Sequence, residues 1–548
     1  MFEKVLSLSL NSYLIQMNTE RKLRFFNTTG PCNPDKHYML PPEDRLVGAQ
    51  LHRYIRDELY WVLHAPRQTG KTTFLHSWMR QINDKGDAVA CYVSVERCQG
   101  VSDVNQSMPA LYDAILKYAN DFGLPVPETA LNSPLSILDN VLCRWSELVA
   151  PKPLIVLFDE VDVLQDETMI SFLRQLRGGF ASRGIGKFPV SIALVGMRDL
   201  KDYITASKGG EAPNPGSPFN IKADSAVLAN FHKDDITHLF AQRTAENGQQ
   251  ITQEALDYVY KQSKGQPWIV NSFFMRATLR ILDPDSTETV ELKHVEQARE
   301  QMIMARETHL DALGERLKDP RIHRVIQAIL TGETDISINR LDPDVMLATD
   351  LGLITWDIDS GFTIANPVYE EILTRVLNLG FHDNMPPPSS WCWQTPDGRL
   401  DMDALLREFQ DFWRNHSDTW EQWTNYTHAF PHLLLMAFLQ RVLNGGGHIE
   451  REYATGRGRM DLAVEYKGEW NIIEIKLLRD KNTYEKVKAE GLKQVTRYRD
   501  TFVPPVGYHK HITAAYLVIF DRRSKPKKAS WSKRITWRRE GDVTVLGC

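Results

Sequence analysis

The chain has little cysteine: six residues in 548, Cys32, Cys91, Cys98, Cys143, Cys392 and Cys548, with no C-x-x-C pair among them. That spacing excludes a disulfide framework and a zinc site, and predicts ordinary reduced thiols. No apolar run approaches the roughly 18 residues of a membrane span. The N-terminus carries Glu3 and Lys4 before a short mixed stretch, with no small-residue cleavage site. Internal repeats and low-complexity tracts are absent as well. These absences together predict a soluble, cytoplasmic protein without a membrane partner.

What is present is ordinary in bulk. Hydrophobic residues make up 42% and charged residues 25%, which excludes disordered and collagen-like chains. At about 150 residues per domain, the length implies two to four domains. The net charge of −5, from 65 basic and 70 acidic residues, excludes a uniformly basic nucleic-acid coat. That average conceals an asymmetry. From Asn471 to Cys548 there are 18 Lys and Arg against 8 Asp and Glu, so the remainder carries −15. Such a split assigns the C-terminal part a partner of its own.

Tyr60–Ala65, Ala88–Val95, Leu154–Phe158 and Val190–Val195 are short apolar runs with helix-like segments between them, such as Pro109–Asn120 and Ile170–Leu176. Strands alternating with helices predict a parallel sheet covered on both faces, within an α/β core spanning 1–225. Asp234–Glu246, Gln253–Gln262 and Pro267–Leu282 have helical spacing with no strand between, and predict a helical lid over 226–285. Within 286–382, the runs Leu353–Asp357 and Phe362–Asn366 flank a turn between helices and predict a winged helix. Asp357 and Asp359 on its wing would repel phosphates, so a regulatory lid is favoured over a DNA reader. Pro386-Pro387-Pro388-Ser389-Ser390 marks a linker over 383–400. A second α/β unit then runs from 401 to 548, with strands near Met460–Tyr466, Trp470–Lys476 and Ile512–Phe520.

Ala65-Pro66-Arg67-Gln68-Thr69-Gly70-Lys71-Thr72 follows the first strand and precedes a helix that continues through Thr73. This is the P-loop pattern in the context it requires. Backbone N–H groups of the loop and the helix N-terminus bind a β-phosphate. Lys71 supplies a cation between β- and γ-phosphates, and the Thr72 hydroxyl ligates Mg²⁺. Leu154–Phe158 ends in Asp159-Glu160, 88 residues past Lys71. Asp159 would join the Mg²⁺ shell and Glu160 would polarise an attacking water. Arg198, or Arg174 or Arg177, would balance the charge that develops in hydrolysis.

Lys71 with Asp159-Glu160-Val-Asp162, Gly196-Met-Arg198 and Gly265-Gln-Pro267 resembles the AAA-like ATPases related to STAND signalling NTPases and archaeal initiator ATPases. Asn27-Thr-Thr-Gly30-Pro31, His37-Tyr38 and Asn366-Pro367-Val-Tyr369-Glu370 resemble the same group, over roughly 25–380. The resemblance implies that ATP is the nucleotide, that Pro267 sits near it, and that the winged helix closes over it. An arginine supplied by a neighbouring copy would require a homo-oligomer.

In the C-terminal unit, Gly458-Arg-Met-Asp461-Leu is followed by Asn471-Ile-Ile-Glu474-Ile-Lys476, with Lys467-Gly468-Glu469 as the turn between. Two apart on a strand, Glu474 and Lys476 face one side, and Asp461 on the neighbouring strand can reach the same point. Two carboxylates and the Ile475 carbonyl make a hard-oxygen site for Mg²⁺ or Mn²⁺. Lys476 could then orient or deprotonate a water and neutralise charge on a phosphate. E-x-K alone occurs about twice by composition in so long a chain, so the constellation matters more. Gln494 and Tyr498 lie four apart on the following helix and share a face. Gly-x-x-Asp, Glu-x-Lys and Gln-x-x-x-Tyr in that order resemble the RecB-like branch of the PD-(D/E)XK nucleases over about 401–548. The resemblance implies a restriction-endonuclease-like fold for this unit, that Asp461 and Glu474 bind metal, that Lys476 is catalytic, and that Gln494 and Tyr498 position the phosphate or strand. One departure stands out: Tyr426–Leu443 carries none of the acid many such nucleases have before the core, although Glu450 or Glu452 could substitute.

Lys486, Lys488, Lys493, Arg497 and Arg499 flank that helix, and a basic run from Arg522 to Arg539 follows, interleaved with Trp531 and Trp537. Cations neutralise phosphates and aromatics stack bases. The reading is therefore an ATP-regulated, metal-dependent nuclease acting on nucleic acid, DNA foremost, analogous to bacterial genome-defence effectors. The alternatives are a nucleotide-switched scaffold whose C-terminal unit binds without cutting, and a DNA-translocating motor.

Overall fold

The computed structural model describes residues 23–47, 50–131, 133–197, 222–305, 308–331, 339–358, 361–382, 393–415, 434–436, 438–439, 447–454, 459–478, 482–502, 512–521, 523 and 535–548. It divides into two compact units, Met1–Glu315 with Asn339–Glu370, and Arg316–Ile338 with Glu371–Cys548.

In the first unit the apolar runs become β1 (Leu46–Val47), β2 (Tyr60–His64), β3 (Val89–Ser94), β4 (Leu154–Asp159), β5 (Ser191–Gly196) and β6 (Lys222–Leu228). They form one sheet in the order β1-β6-β2-β5-β4-β3, parallel except where β1 meets β6. Helices α1 (Lys71–Lys85), α2 (Val104–Asp121), α3 (Ile137–Val149) and α4 (Asp166–Phe180) cover both faces. Trp61 and Leu63 of β2 pack with Phe74, Leu75 and Trp78 of α1. Tyr60 and Val62 cluster on the other face with Met108, Leu142 and Phe172 of α2, α3 and α4. Burial on both sides is why these strands are apolar throughout rather than alternating.

The sequence reading has no strand at 222–228, and its boundary at 225 falls inside β6. Lys222-Ala-Asp-Ser-Ala-Val-Leu228 carries too few large apolar residues to read as a core strand, but β2 supplies a parallel ladder for it. Beyond it come α5 (Lys233–Asn247), α6 (Gln253–Ser263), α7 (Pro267–Arg276) and α8 (Leu292–Met304). Later in the chain, α9 (Pro343–Asp350) leads into an antiparallel hairpin of β7 (Ile354–Asp357) and β8 (Gly361–Ile364).

The second unit holds a mixed sheet in the order β13-β14-β12-β11-β10-β9, built from β9 (Gly447–Ala454), β10 (Arg459–Tyr466), β11 (Glu469–Leu478), β12 (Ile512–Asp521), β13 (Thr536–Glu540) and β14 (Val543–Gly547). Helix α10 (Met402–Asn415) presents Leu405, Leu406, Phe409, Phe412 and Trp413 to one face of the sheet. Helix α11 (Tyr484–Thr501) presents Val487, Val495 and Tyr498 to the other. Part of the expected linker is folded: Gln394 Nε2 donates to the Tyr466 hydroxyl at 2.6 Å, and the Asp401 N–H donates to the Trp393 carbonyl at 2.7 Å. Residues 383–392 lie outside the described residues, as does most of Tyr426–Leu443. Among the described residues no helix is long and apolar enough to cross a membrane.

Candidate functional site

The loop between β2 and α1 is shaped by its own backbone. Gly70 has φ 94° and Gln68 φ 58°, both left-handed; the first is the region glycine enters without strain. The Thr69 hydroxyl donates to the Pro66 carbonyl at 2.9 Å. Lys71 Nζ donates to the carbonyls of Ala65 at 2.7 Å and Pro66 at 2.9 Å. Arg67 is exposed.

β4 runs beside β3 and brings Asp159 to the start of α1. The Thr72 hydroxyl donates to Asp159 Oδ2 at 2.7 Å, and the Tyr92 hydroxyl reaches the same oxygen at 3.3 Å. Burial pushes the Asp159 carboxyl up, opposed by the Thr72 hydrogen bond and the Lys71 charge. Burial pulls Lys71 down, opposed by the charge of Asp159. Glu160 sits at φ 61° and accepts a hydrogen bond from Ser94 Oγ at 2.9 Å. Burial raises its pKa while the Ser94 bond lowers it. Sequence reasoning missed Tyr92 and Ser94. The one available signal was a polar residue closing an apolar strand, and only the β3–β4 register places Ser94 across from Asp159.

Other elements close on the loop. The Cys32 N–H donates to Thr73 Oγ1 at 3.0 Å, and Trp268 Nε1 donates to the Thr28 carbonyl at 2.9 Å. Gln266 caps α7 by accepting from the Ile269 N–H at 2.7 Å, and its Nε2 approaches the Gln68 carbonyl at 3.4 Å. The expected nucleotide neighbour, Pro267, is buried at the first position of α7. Helix α7 thus reaches the loop through Gln266, the residue before Pro267. Arg198 lies outside the described residues, and Arg174 and Arg177 are exposed on α4. A hydroxyl and a carboxylate 2.7 Å apart, at a helix N-terminus, form a donor set that fits Mg²⁺ with a polyphosphate.

In the second unit, strand alternation sorts β11 cleanly. Trp470, Ile472 and Leu478 belong to the core under α11, whereas Ile473 and Ile475 belong to the core under α10. Glu474 and Lys476 have the α11 parity. Glu474 is 2% exposed, and Lys476 Nζ donates to its Oε1 at 2.7 Å. Ile475 points the other way, and its backbone pairs with Val518 of β12. Asp461 lies on β10, one position beyond the Leu462–Ile473 pair, and that register leads across to Glu474. Its side chain lies outside the described residues, and among those residues no group of three or more His, Cys, Asp or Glu side chains could hold a metal ion.

Helix α11 crosses this face at Gly491, where an added Cβ would stand 2.5 Å from Leu517 Cδ1 and 3.2 Å from Lys476 Cγ. Gln494 and Tyr498 follow at three and seven residues, on the same side of the helix. Gln494 Oε1 is buried and accepts no hydrogen bond among the described residues. Tyr498, 3% exposed, packs in the core of this face. Glu474 supplies a carboxylate, with a buried amide oxygen on the helix above it; this donor chemistry suits a hard divalent ion.

Residues 428–522 match the family model of the PD-(D/E)XK nuclease superfamily. The C-terminal part of the chain carries a PD-(D/E)XK nuclease domain. No curated protein matches the chain by sequence. Among solved structures, the N-terminal part is similar to a Walker-type ATPase of Pyrococcus abyssi, at 17% identity and TM-score 0.46, covering 64% of this chain and 99% of that one. It is similar also to Cdc6p of Pyrobaculum aerophilum (15% identity, TM-score 0.34, 60% and 91% covered). The RuvB branch-migration motor of Thermotoga maritima is a further likeness (14%, 0.31, 59% and 90%). In the first unit, Pro66–Gly70 forms the loop between β2 and α1 of the parallel sheet.

Within the nuclease domain the basic residues divide into two groups. Lys488 pairs with Glu485 and Glu540, and Arg499 with Asp500 and Asp542, so both tie α11 to neighbouring acids. Lys486, Lys493 and Arg497 are exposed. Trp537 is half-buried on β13 with the Arg407 guanidinium 4.1 Å over its ring, so it packs against α10 rather than standing free to stack bases. Trp531 and 524–534 lie outside the described residues.

Proposed function

We propose that this protein is an ATP-regulated, metal-dependent nuclease that hydrolyses nucleic-acid phosphodiester bonds, with DNA as substrate. The observation that carries the reading is Lys476 at 2.7 Å from the buried Glu474, on the α11 face of a domain that matches the nuclease superfamily. Glu474, Asp461 and the Ile475 carbonyl would hold Mg²⁺ or Mn²⁺, which when bound polarises the phosphate and acidifies a water. Lys476 orients that water and neutralises charge on the phosphate, while Gln494 and Tyr498 position the strand. Lys486, Lys493 and Arg497 contact its backbone.

In the first unit, Pro66 to Thr73 bind ATP, with Thr72 and Asp159 toward Mg²⁺, Glu160 toward the attacking water, and Arg198 as the charge-balancing arginine, supplied within a homo-oligomer. The α9 helix with the β7–β8 hairpin acts as a winged-helix lid, and nucleotide state licenses cutting. A role in bacterial genome defence is the biological counterpart of this design.

The test is cleavage of single- and double-stranded DNA and RNA with Mg²⁺ or Mn²⁺, with and without ATP, comparing wild type with Lys476→Ala and Lys71→Ala. Metal-dependent cutting lost in Lys476→Ala, and altered by ATP only when Lys71 is present, supports the reading. Cutting indifferent to Lys476→Ala overturns the triad, and nucleic-acid binding without cutting under every condition favours a scaffold.

A further inference from the structure

Arg45 ends a short 3₁₀ turn (Pro42–Arg45) and is 8% exposed. Its Nη2 donates to the carbonyls of Thr69 and Ala229, each at 2.6 Å, and its Nε donates to Ala229 at 2.8 Å. Thr69 belongs to the phosphate loop. Ala229 is the first residue after β6, where the chain leaves the sheet for the lid helices. The guanidinium lies 4.7 Å over the Phe231 ring, and the Phe231 N–H donates to the Gly265 carbonyl at 2.8 Å. Gly265 precedes Gln266, which approaches the loop at Gln68. One side chain therefore joins the phosphate loop, the end of the sheet and the root of the lid.

The electrostatics of this joint are unbalanced. Every acceptor of Arg45 is a neutral carbonyl, and among the described residues no carboxylate forms an ion pair with it. Burial pulls its pKa down to about 10, with Asp235 and Cys32 opposing from a distance. A buried cation without an anion is costly. Its Nη1 stands 3.4 Å from where a Cβ on Gly70 would lie, directly behind the loop.

We propose that Arg45 is a positioning residue of the nucleotide site, acting through Thr69 and Gly70, and that the polyphosphate is its counter-charge. Nucleotide binding then stabilises the joint at Ala229 and fixes the root of the lid. No motif marks Arg45, which lies 26 residues before Lys71. The inference rests on the proposed nucleotide site.

The experiment uses the full chain with Arg45→Gln, which keeps a donor for the carbonyls but loses the charge, and Arg45→Lys, which keeps the charge. Binding of a fluorescent ATP analogue is titrated at several salt concentrations, and thermal unfolding is followed without nucleotide. The expected result is an affinity loss of at least roughly tenfold in Arg45→Gln, with a shallower salt dependence, an unchanged nucleotide-free unfolding temperature, and recovery of most of the affinity in Arg45→Lys. Wild-type affinity in Arg45→Gln overturns the proposal. So does a parallel fall in nucleotide-free unfolding temperature without rescue by lysine, which marks a structural clamp. If wild type binds no better than Lys71→Ala, the nucleotide site itself is wrong and the inference falls with it.

Discussion

The two candidate sites hold their lysines in opposite ways. Lys71 donates to two backbone carbonyls, and the nearby Asp159 is occupied by the hydroxyls of Thr72 and Tyr92. Lys476 donates directly to a carboxylate. The difference follows from the backbone beneath each. The tight loop brings the Ala65 and Pro66 carbonyls within reach of the lysine that follows it. A strand sets residues i and i+2 side by side on one face, so an acid and a base there meet each other. The first site is organised by main chain and the second by side-chain charge, so they should respond differently to substitution.

The largest expected effect lies in the charge-organised site. Glu474→Gln and Lys476→Met should each lower the initial rate of phosphodiester cleavage by at least about a thousandfold, with binding of an ATP analogue unchanged. Equal loss of both activities would mean that the substitution unfolds the chain rather than disabling one site. Next, Lys71→Ala should weaken ATP binding by roughly a hundredfold and remove the effect of ATP on cleavage. A cleavage response to ATP that survives Lys71→Ala would break the coupling of the two sites.

Two glycines sharpen the same contrast in stability. A Cβ on Gly265, at φ 76°, would lie 1.9 Å from the Phe231 carbonyl oxygen, which cannot move without the backbone. Gly265→Ala should cost about 3 kcal/mol, seen as an earlier thermal transition of the first unit. Gly491→Ala meets only the end of the Leu517 side chain and Lys476 Cγ, and gains helix propensity of up to about 1 kcal/mol. Its net effect should stay within about 1 kcal/mol by urea unfolding.

A pH dependence of the first unit is the last expected effect. His76 on α1 stands edge-on to Tyr92 at 4.6 Å, and burial, then the Arg80 charge, holds its pKa down at about 4. The unfolded chain takes up this proton near pH 6.5, before the folded state does. The stabilisation is therefore complete above that pH and is lost as pH falls toward 4. His76→Phe should flatten the unfolding free energy across this window by about 1–2 kcal/mol, after discounting for partial exposure.

The parts of both sites that lie within a few residues of one another were legible in the sequence. The loop from Pro66 to Thr73 sits between its strand and helix as its pattern requires, because left-handed glycine and a helix N-terminus are local properties. Glu474 and Lys476 share a face because alternation is a property of any strand. The aromatic and aliphatic runs of β2, β4 and β5 were readable for the same reason. Where the register itself does the work, the sequence was silent. Ser94 and Tyr92 serve Asp159 and Glu160 only because β3 lies beside β4. β6 is a strand because β2 offers it a ladder.

By itself, then, the sequence determined which short segments bring the residues of the two proposed sites together, since those depend on neighbours in the chain. Only the tertiary structure decided what surrounds them. Arg45 meets Thr69 across 24 residues and Ala229 across 184, and Gln266 approaches Gln68 across 198. Contacts of that separation are selected by the packing of the whole unit, and no local propensity encodes them.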